Sequence, residues 1–168
     1  MKFRKADEKD ALRIWEIILQ AKQQMREMNS TQWGDDYPTR DTLQMDILKG
    51  YGYVICDESS KVIVYGAVCF DGEPAYDSIV GRWTDNFPYV TVHRLAVADE
   101  KKRQGMAAKF IREVEKLCLQ REIRSFRIDT NFDNIYMLQL LEKSGFEYCG
   151  EVIYPRGARR AYHKSVEK

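Results

Sequence analysis

Tyr89-Val90-Thr91-Val92-His93-Arg94-Leu95-Ala96-Val97 runs through Ala98-Asp99-Glu100 into Lys101-Lys102-Arg103-Gln104-Gly105-Met106-Ala107-Ala108, and the reading of this stretch decides the fold. The first nine residues are rich in β-branched and apolar side chains and predict a strand. A charged turn over 99–103 follows. It leads into a long amphipathic helix, because Met106, Phe110, Ile111, Val114 and Leu117 fall on one helical face. The alternation then repeats, with a strand over 126–129 and a helix over 133–143 closed by Gly145. Strand and helix in turn make this an α/β chain.

Upstream, a short strand over 2–5 gives way at Asp7, a helix N-cap by residue type, to apolar residues at helical spacing: Ala11, Leu12, Trp15, Ile18 and Leu19. The pattern weakens over 22–24 and resumes at Met25 and Met28, which predicts two linked helices. A loop from Asn29 to Pro38 and a short helix over 42–48, ended by Gly50, come next. Strands over 53–56 and 62–70 form an antiparallel hairpin. Residues 71–88 carry Gly72, Pro74, Gly81 and Pro88 and read as a long excursion with at most one strand. A last hairpin pairs 146–153 with 161–164 around Pro155 and Gly157. The length of 168 residues suits a single domain spanning 1–168.

Lys and Arg number 27 against 26 Asp and Glu, so net charge gives no case for nucleic acid or an anionic membrane as partner. Cys56, Cys69, Cys118 and Cys149 are scattered, which suggests neither a zinc site nor a disulfide framework. The charged N-terminus has no apolar stretch of signal-peptide length, so a cytoplasmic location is expected.

The turn before the long helix is chemically unusual. No Ser, Thr, Asp or Asn stands immediately before Gly105 to cap the first helical amides. Lys101, Lys102 and Arg103 also oppose the helix macrodipole, which favours acidic residues there by roughly 0.3–1 kcal/mol each. An anion resolves both problems. A phosphate group would accept from the free N–H groups while a cation neutralises it, and Gly105 would let the backbone come close. A solvated basic turn is the alternative reading of the same residues. Neither the Gly-x-Gly-x-x-Gly pattern nor the Walker pattern is present.

His93-Arg94-Leu95-Ala96-Val97, the loop Lys102-x-x-Gly105-x-Ala107, and Asn134 followed by Gly145-Phe146 together resemble the central segment of GNAT superfamily N-acetyltransferases, whose loop reads Gln/Arg-x-x-Gly-x-Gly/Ala. Lys102 departs from the usual Gln or Arg. The resemblance implies a GNAT-like fold, a central mixed sheet flanked by helices, and acetyl-CoA as cosubstrate with no metal. It further implies that the backbone of Leu95, Ala96 and Val97 pairs with the pantetheine arm. On the same grounds Arg103, Gln104, Gly105, Met106, Ala107 and Ala108 bind pyrophosphate, and Asn134 contacts the cofactor. For Leu95, Val97 and Asn134 the plainer reading is core packing and helix capping.

The implied reaction moves an acetyl group directly to an amine acceptor, which needs a neutral nitrogen but no nucleophilic cysteine. His93 is the candidate base, because its ordinary pKa lies near neutrality and alternation sets it on the face of Thr91 and Leu95. A packed strand histidine is the competing reading. Asp129 and Thr130 are candidates for orienting an acceptor or water. By resemblance Trp33, Asp35, Asp36 and Tyr154 flank the acceptor. Many family members protonate the leaving thiolate with a tyrosine seven residues after the asparagine, where this chain has Leu141. That departure keeps open a catalytically weak acyl-CoA-binding regulatory module. The acceptor and the oligomeric state, a homodimer included, are not readable from the sequence.

Overall fold

The computed structural model describes residues 1–167, and within them the chain forms β1 (Lys2–Lys5), α1 (Ala11–Glu27), α2 (Arg40–Leu48), β2 (Gly52–Cys56), β3 (Val62–Cys69), β4 (Val80–Gly81), β5 (Tyr89–Val97), α3 (Met106–Gln120), β6 (Ser125–Thr130), α4 (Ile135–Lys143), β7 (Glu147–Tyr154) and β8 (Gly157–Ser165). The strands make one sheet in the order β1-β2-β3-β5-β6-β8-β7-β4. Only β5 and β6 pair in parallel; the other neighbours are antiparallel. The mixed sheet expected from the sequence is therefore the fold.

Every residue of β2 and β3 is buried, because helices cover both faces of the sheet there. On one face Val64, Val68, Val90, Val92, Phe126 and Ile128 pack with Phe110, Ile111 and Val114 of α3 and Leu141 of α4. On the other, Val54, Val62, Tyr65 and Ala96 pack with Ile14, Ile17, Ile18 and Ala21 of α1 and Leu43 of α2. α1 is one continuous helix rather than the two expected. Lys22, which weakens the apolar pattern, is only 4% exposed, and its ammonium lies 5.4 Å from the centroid of the Trp15 ring. An aromatic face thus accommodates the cation within the buried stripe. The excursion over 71–88 contains a 3-10 turn, Pro74–Ser78, and the two-residue strand β4 at the edge beside β7.

Two irregularities of β5 position everything that follows. The first is a bulge. Tyr65 pairs with Ala96 and Ala67 with His93, so Arg94 and Leu95 together oppose Gly66, and Arg94 takes φ 56°. The extra residue reverses the alternation: Leu95 and Val97 join Val90 and Val92 on the α3 face, whereas Ala96 joins the α1 face. The expectation that His93 shares a face with Leu95 therefore fails. The second irregularity is a parting of strands. β5 pairs with β6 only at Tyr89, Val90 and Thr91, and beyond Thr91 β6 keeps its pairing with β8 alone.

Gly66 is forced by packing at the bulge. A Cβ there would stand 2.7 Å from Cζ of Phe110. Gly66→Ala is accordingly expected to destabilise the protein by about 1–3 kcal/mol through overpacking. Chemical denaturation would show a lower midpoint at unchanged slope; an unchanged midpoint would mean that Phe110 moves freely.

Candidate active site

A buried ion pair holds the bulge. The Arg94 guanidinium donates from Nε to Oδ2 of Asp46 at 2.8 Å and from Nη2 to Oδ1 at 2.6 Å, while Nη1 donates to the Tyr37 hydroxyl at 2.8 Å. Tyr65 donates its hydroxyl to the same Asp46 oxygen at 2.6 Å. Burial disfavours the Arg94 charge, but hydrogen bonds to Asp46 and Tyr37 outweigh it, and its pKa lies above the ordinary arginine value. Burial and the adjacent Asp46 carboxylate raise the pKa of Tyr65, keeping it a neutral donor.

Past the bulge the parting strands open a cleft of about 620 Å³ between α1 and the α3–α4 side, lined by Met25, Met28, Leu95, Ala96, Val97 and Asn134. Its far end is the loop before α3, where Lys101, Lys102, Arg103, Gly105, Met106, Ala107 and Ala108 face the opening. Arg103 and Gly105 both adopt left-handed conformations, φ 62° and 73°. The helix has no side-chain cap, and Lys109, donating to the Gly105 carbonyl at 3.0 Å, is its first residue bonded to a backbone acceptor. Among the described residues no N–H group of 103–108 makes a hydrogen bond of good geometry to a protein acceptor. A Cβ on Gly105 would meet nothing within 4 Å, so its positive φ is what favours glycine. Such an open set of amides at a helix start, flanked by cations, fits a pyrophosphate. Gln104 differs from its neighbours: its side chain donates back to the Glu100 carbonyl at 3.2 Å.

Asn134 is both buried and engaged. Its Oδ1 accepts from the Met137 amide at 3.3 Å and caps α4, and its Nδ2 donates to Oε1 of Gln32 at 3.0 Å. That Gln32 oxygen also accepts from Thr130 Oγ1 and from the Asn131 amide, both at 3.1 Å. The loop between α1 and α2 is thereby fastened to the end of β6 through one side chain. Nothing in the sequence marked Gln32, because its role is a contact across 98 to 102 residues.

A second cavity, of about 530 Å³, lies on the other side of the sheet's opening and shares Met25, Leu95, Asn134 and Met137 with the first. His93 lines it, with Nε2 3.4 Å from Oε2 of Glu73. The hydrogen bond with His93 lowers the Glu73 pKa against the opposing effect of burial. Glu73 itself caps the 3-10 turn of the excursion, accepting from the Ala75 amide at 3.2 Å. Asp129 also lines the cavity, and its Oδ2 accepts from Tyr76 at 2.6 Å and from Tyr154 at 2.9 Å. Burial, reinforced by Asp129, raises the pKa of both tyrosines, so they stay protonated donors.

Of the residues placed near an acceptor by the sequence, Trp33, Thr130 and Tyr154 line this cavity and Asp35 and Asp36 do not. Asp35 is solvated, with a side-chain exposure of 102%, and Asp36 accepts from Arg156 at 2.6 Å outside the cavity. Leu141 is fully buried against Phe126 and Phe146 in the core, so this position offers no proton to either cavity. The sequence reading missed Glu73, Asp46 and Tyr76, each polar and distant in sequence from the groups it meets.

The chain matches the family model for acetyltransferase (GNAT) family over residues 22–146. Among solved structures it is similar to an acetyltransferase of the GNAT family from Streptococcus agalactiae, with 34% identity and TM-score 0.90, covering 99% of this chain and 96% of that one. A putative acetyltransferase from Staphylococcus aureus Mu50 follows at 26% identity and TM-score 0.76, covering 99% and 100%. The ribosomal-protein-S18-alanine N-acetyltransferase of Escherichia coli shares the fold at 11% identity and TM-score 0.68, covering 99% and 94%. Comparison with curated proteins gives no match.

The open amides before α3 generate a direct test. Gly105→Asp places a side chain and a negative charge at a left-handed residue in the proposed phosphate cradle, and is expected to weaken coenzyme A binding at least about tenfold, roughly 1.4 kcal/mol. Calorimetry on the folded variant measures it. Equal affinities would remove this loop from the site.

Proposed function

The chain belongs to the GNAT acetyltransferase family, which transfers acyl groups from acyl-CoA to amines, and from that premise we propose that it acetylates a primary amine held beside His93, with acetyl-CoA as donor. The observation that carries this reading is the meeting of the two cavities at Leu95, Asn134 and Met137. One cavity has the features of a coenzyme site; the other has the acid–base groups of an acceptor site.

In this reading the amides of 103–108, with the neighbouring cations, hold the pyrophosphate. The edge of β5 left free beyond Thr91 presents the backbone of Leu95, Ala96 and Val97 to the pantetheine arm as a neighbouring strand would. Bound acetyl-CoA supplies an electrophilic thioester carbonyl. The residues of this chain supply the rest. Asp129, on the wall of the same cavity, offers a carboxylate that an ammonium ion can donate to. His93 turns Nε2 toward Glu73, which leaves Nδ1 to take a proton from the ammonium, directly or through water; the neutral amine then bonds to the carbonyl carbon and releases its second proton to solvent. Glu73 stabilises the imidazolium that results. The carbon–sulfur bond breaks, and the thiolate takes its proton from solvent, since an ordinary thiol with a pKa of about 8.5 leaves readily near neutrality. The buried Leu141 is consistent with a mechanism that needs no tyrosine there.

An amine-library screen with acetyl-CoA, reading free thiol and product mass together, tests the function. Thiol release matched by an acetylated amine is expected; coenzyme binding without transfer to any amine would make the protein a binding module. For the mechanism, His93→Ala is expected to lower kcat/KM by roughly 10²-fold or more while acetyl-CoA affinity holds. His93→Gln, which can still donate to Glu73 but offers the amine no base, is expected to lose a comparable factor. Near-normal kcat/KM in either folded variant would exclude His93 as the base.

A further inference from the structure

The charges in the acceptor cavity can be accounted for pair by pair. Arg94 is bound by Asp46, Arg156 by Asp36, and Glu73 by His93. Lys49 is exposed at the end of α2, with its ammonium over the Tyr51 ring. Two half-buried groups are left without an opposite charge: Asp129, which accepts from the neutral phenols of Tyr76 and Tyr154, and Arg159, whose guanidinium lies 5.8 Å from the centroid of the Tyr154 ring and makes one long hydrogen bond, 3.4 Å, to the Gln32 carbonyl. Among the described residues neither has an oppositely charged side chain within ion-pair reach. A guanidinium has five N–H donors in a fixed fork, so Arg159 retains most of its binding capacity.

The two groups are neighbours on one face. Asp129 pairs across β6–β8 with Ala161, and Arg159 lies two residues further along β8. Residues two apart in a strand share a face, and diagonal neighbours on adjacent strands stand about 7–8 Å apart. Tyr76, which bonds Asp129, packs on Ala161 and on Val152, the partner of Arg159, so this face is the one turned to the cavity. An opposite pair this close would ordinarily be joined; here Arg159 is drawn instead to the α1–α2 loop.

Resting on the acetyltransferase reading above, we propose that the acceptor is a small amino acid, its carboxylate bound by the fork of Arg159 and its ammonium drawn to Asp129 before His93 deprotonates it. A zwitterion with one or a few carbons between its charges spans this diagonal, and it complements both leftover charges at once. A plain alkylamine or a polyamine would leave Arg159 uncompensated. A planar guanidinium also favours a carboxylate, which it can meet with two parallel bonds.

The test compares an amino acid with its carboxamide and its decarboxylated amine, all with acetyl-CoA. Wild-type kcat/KM is expected to favour the amino acid by about ten- to hundredfold, the range of a charge-assisted hydrogen bond. In Arg159→Gln the amino acid should lose that advantage through a raised KM, while kcat, the KM for acetyl-CoA and the melting temperature hold; Arg159→Lys should recover part of it. Equal use of amino acid and carboxamide, preference for polyamines, or an undiminished preference in Arg159→Gln would overturn the proposal. Calorimetric binding of the amino acids to the coenzyme A complex separates the two levels. Arg159-dependent binding without product would uphold the ligand and refute transfer, whereas acetylation without a carboxylate preference would uphold transfer and refute the ligand.

Discussion

The ion pair between Arg94 and Asp46 is the constraint on which the site depends. A non-glycine residue in the left-handed region costs of order 1–3 kcal/mol, and it persists only when its surroundings determine it. Here a bidentate, charge-assisted contact to Asp46 and a third bond to Tyr37 fix the Arg94 side chain, and Tyr65 completes the coordination of the carboxylate. α2 contributes Asp46 and the sheet contributes Arg94, so the packing of a helix sets the path of a strand. That path decides which side chain faces what. With the bulge, Leu95 and Val97 seal the α3 core and His93 faces the cavity that Glu73 and Asp129 also line; a regular strand would put His93 and Leu95 on one face.

The two cavities are linked by the loop between α1 and α2 as well as by the strand. Gln32 reaches the end of β6 and the cap of α4, Ser30 and Thr31 bond to Asp133, and Arg159 touches the Gln32 carbonyl. Asn134 therefore sits where the start of a helix and the walls of the two cavities coincide. Its two amide atoms are divided between the helix and the loop, so a change in the loop reaches the residues nearest the junction of the cavities. The excursion of 71–88 plays the corresponding part on the opposite wall: it carries Glu73 to His93 and Tyr76 to Asp129.

Local pattern and elementary chemistry were enough for much of this. The apolar alternation of Tyr89 to Val97, the helical face from Met106 to Leu117 and the uncapped helix after three cations determined the α/β fold and the open amides before α3, because each is set by neighbours within a turn or two of chain. The tertiary structure alone decided that Arg94 bulges β5, that Lys22 is a core-facing residue of one long helix, that Asp35 and Asp36 stand outside the cavity, that Leu141 is in the core, and that Glu73, Asp129 and Arg159 converge. Those outcomes rest on ion pairs and hydrogen bonds between residues tens of positions apart, and on the one-residue shift of a strand. Periodicity in a sequence carries no term for either, since it records which residues share a face of their own element and not what that face will meet.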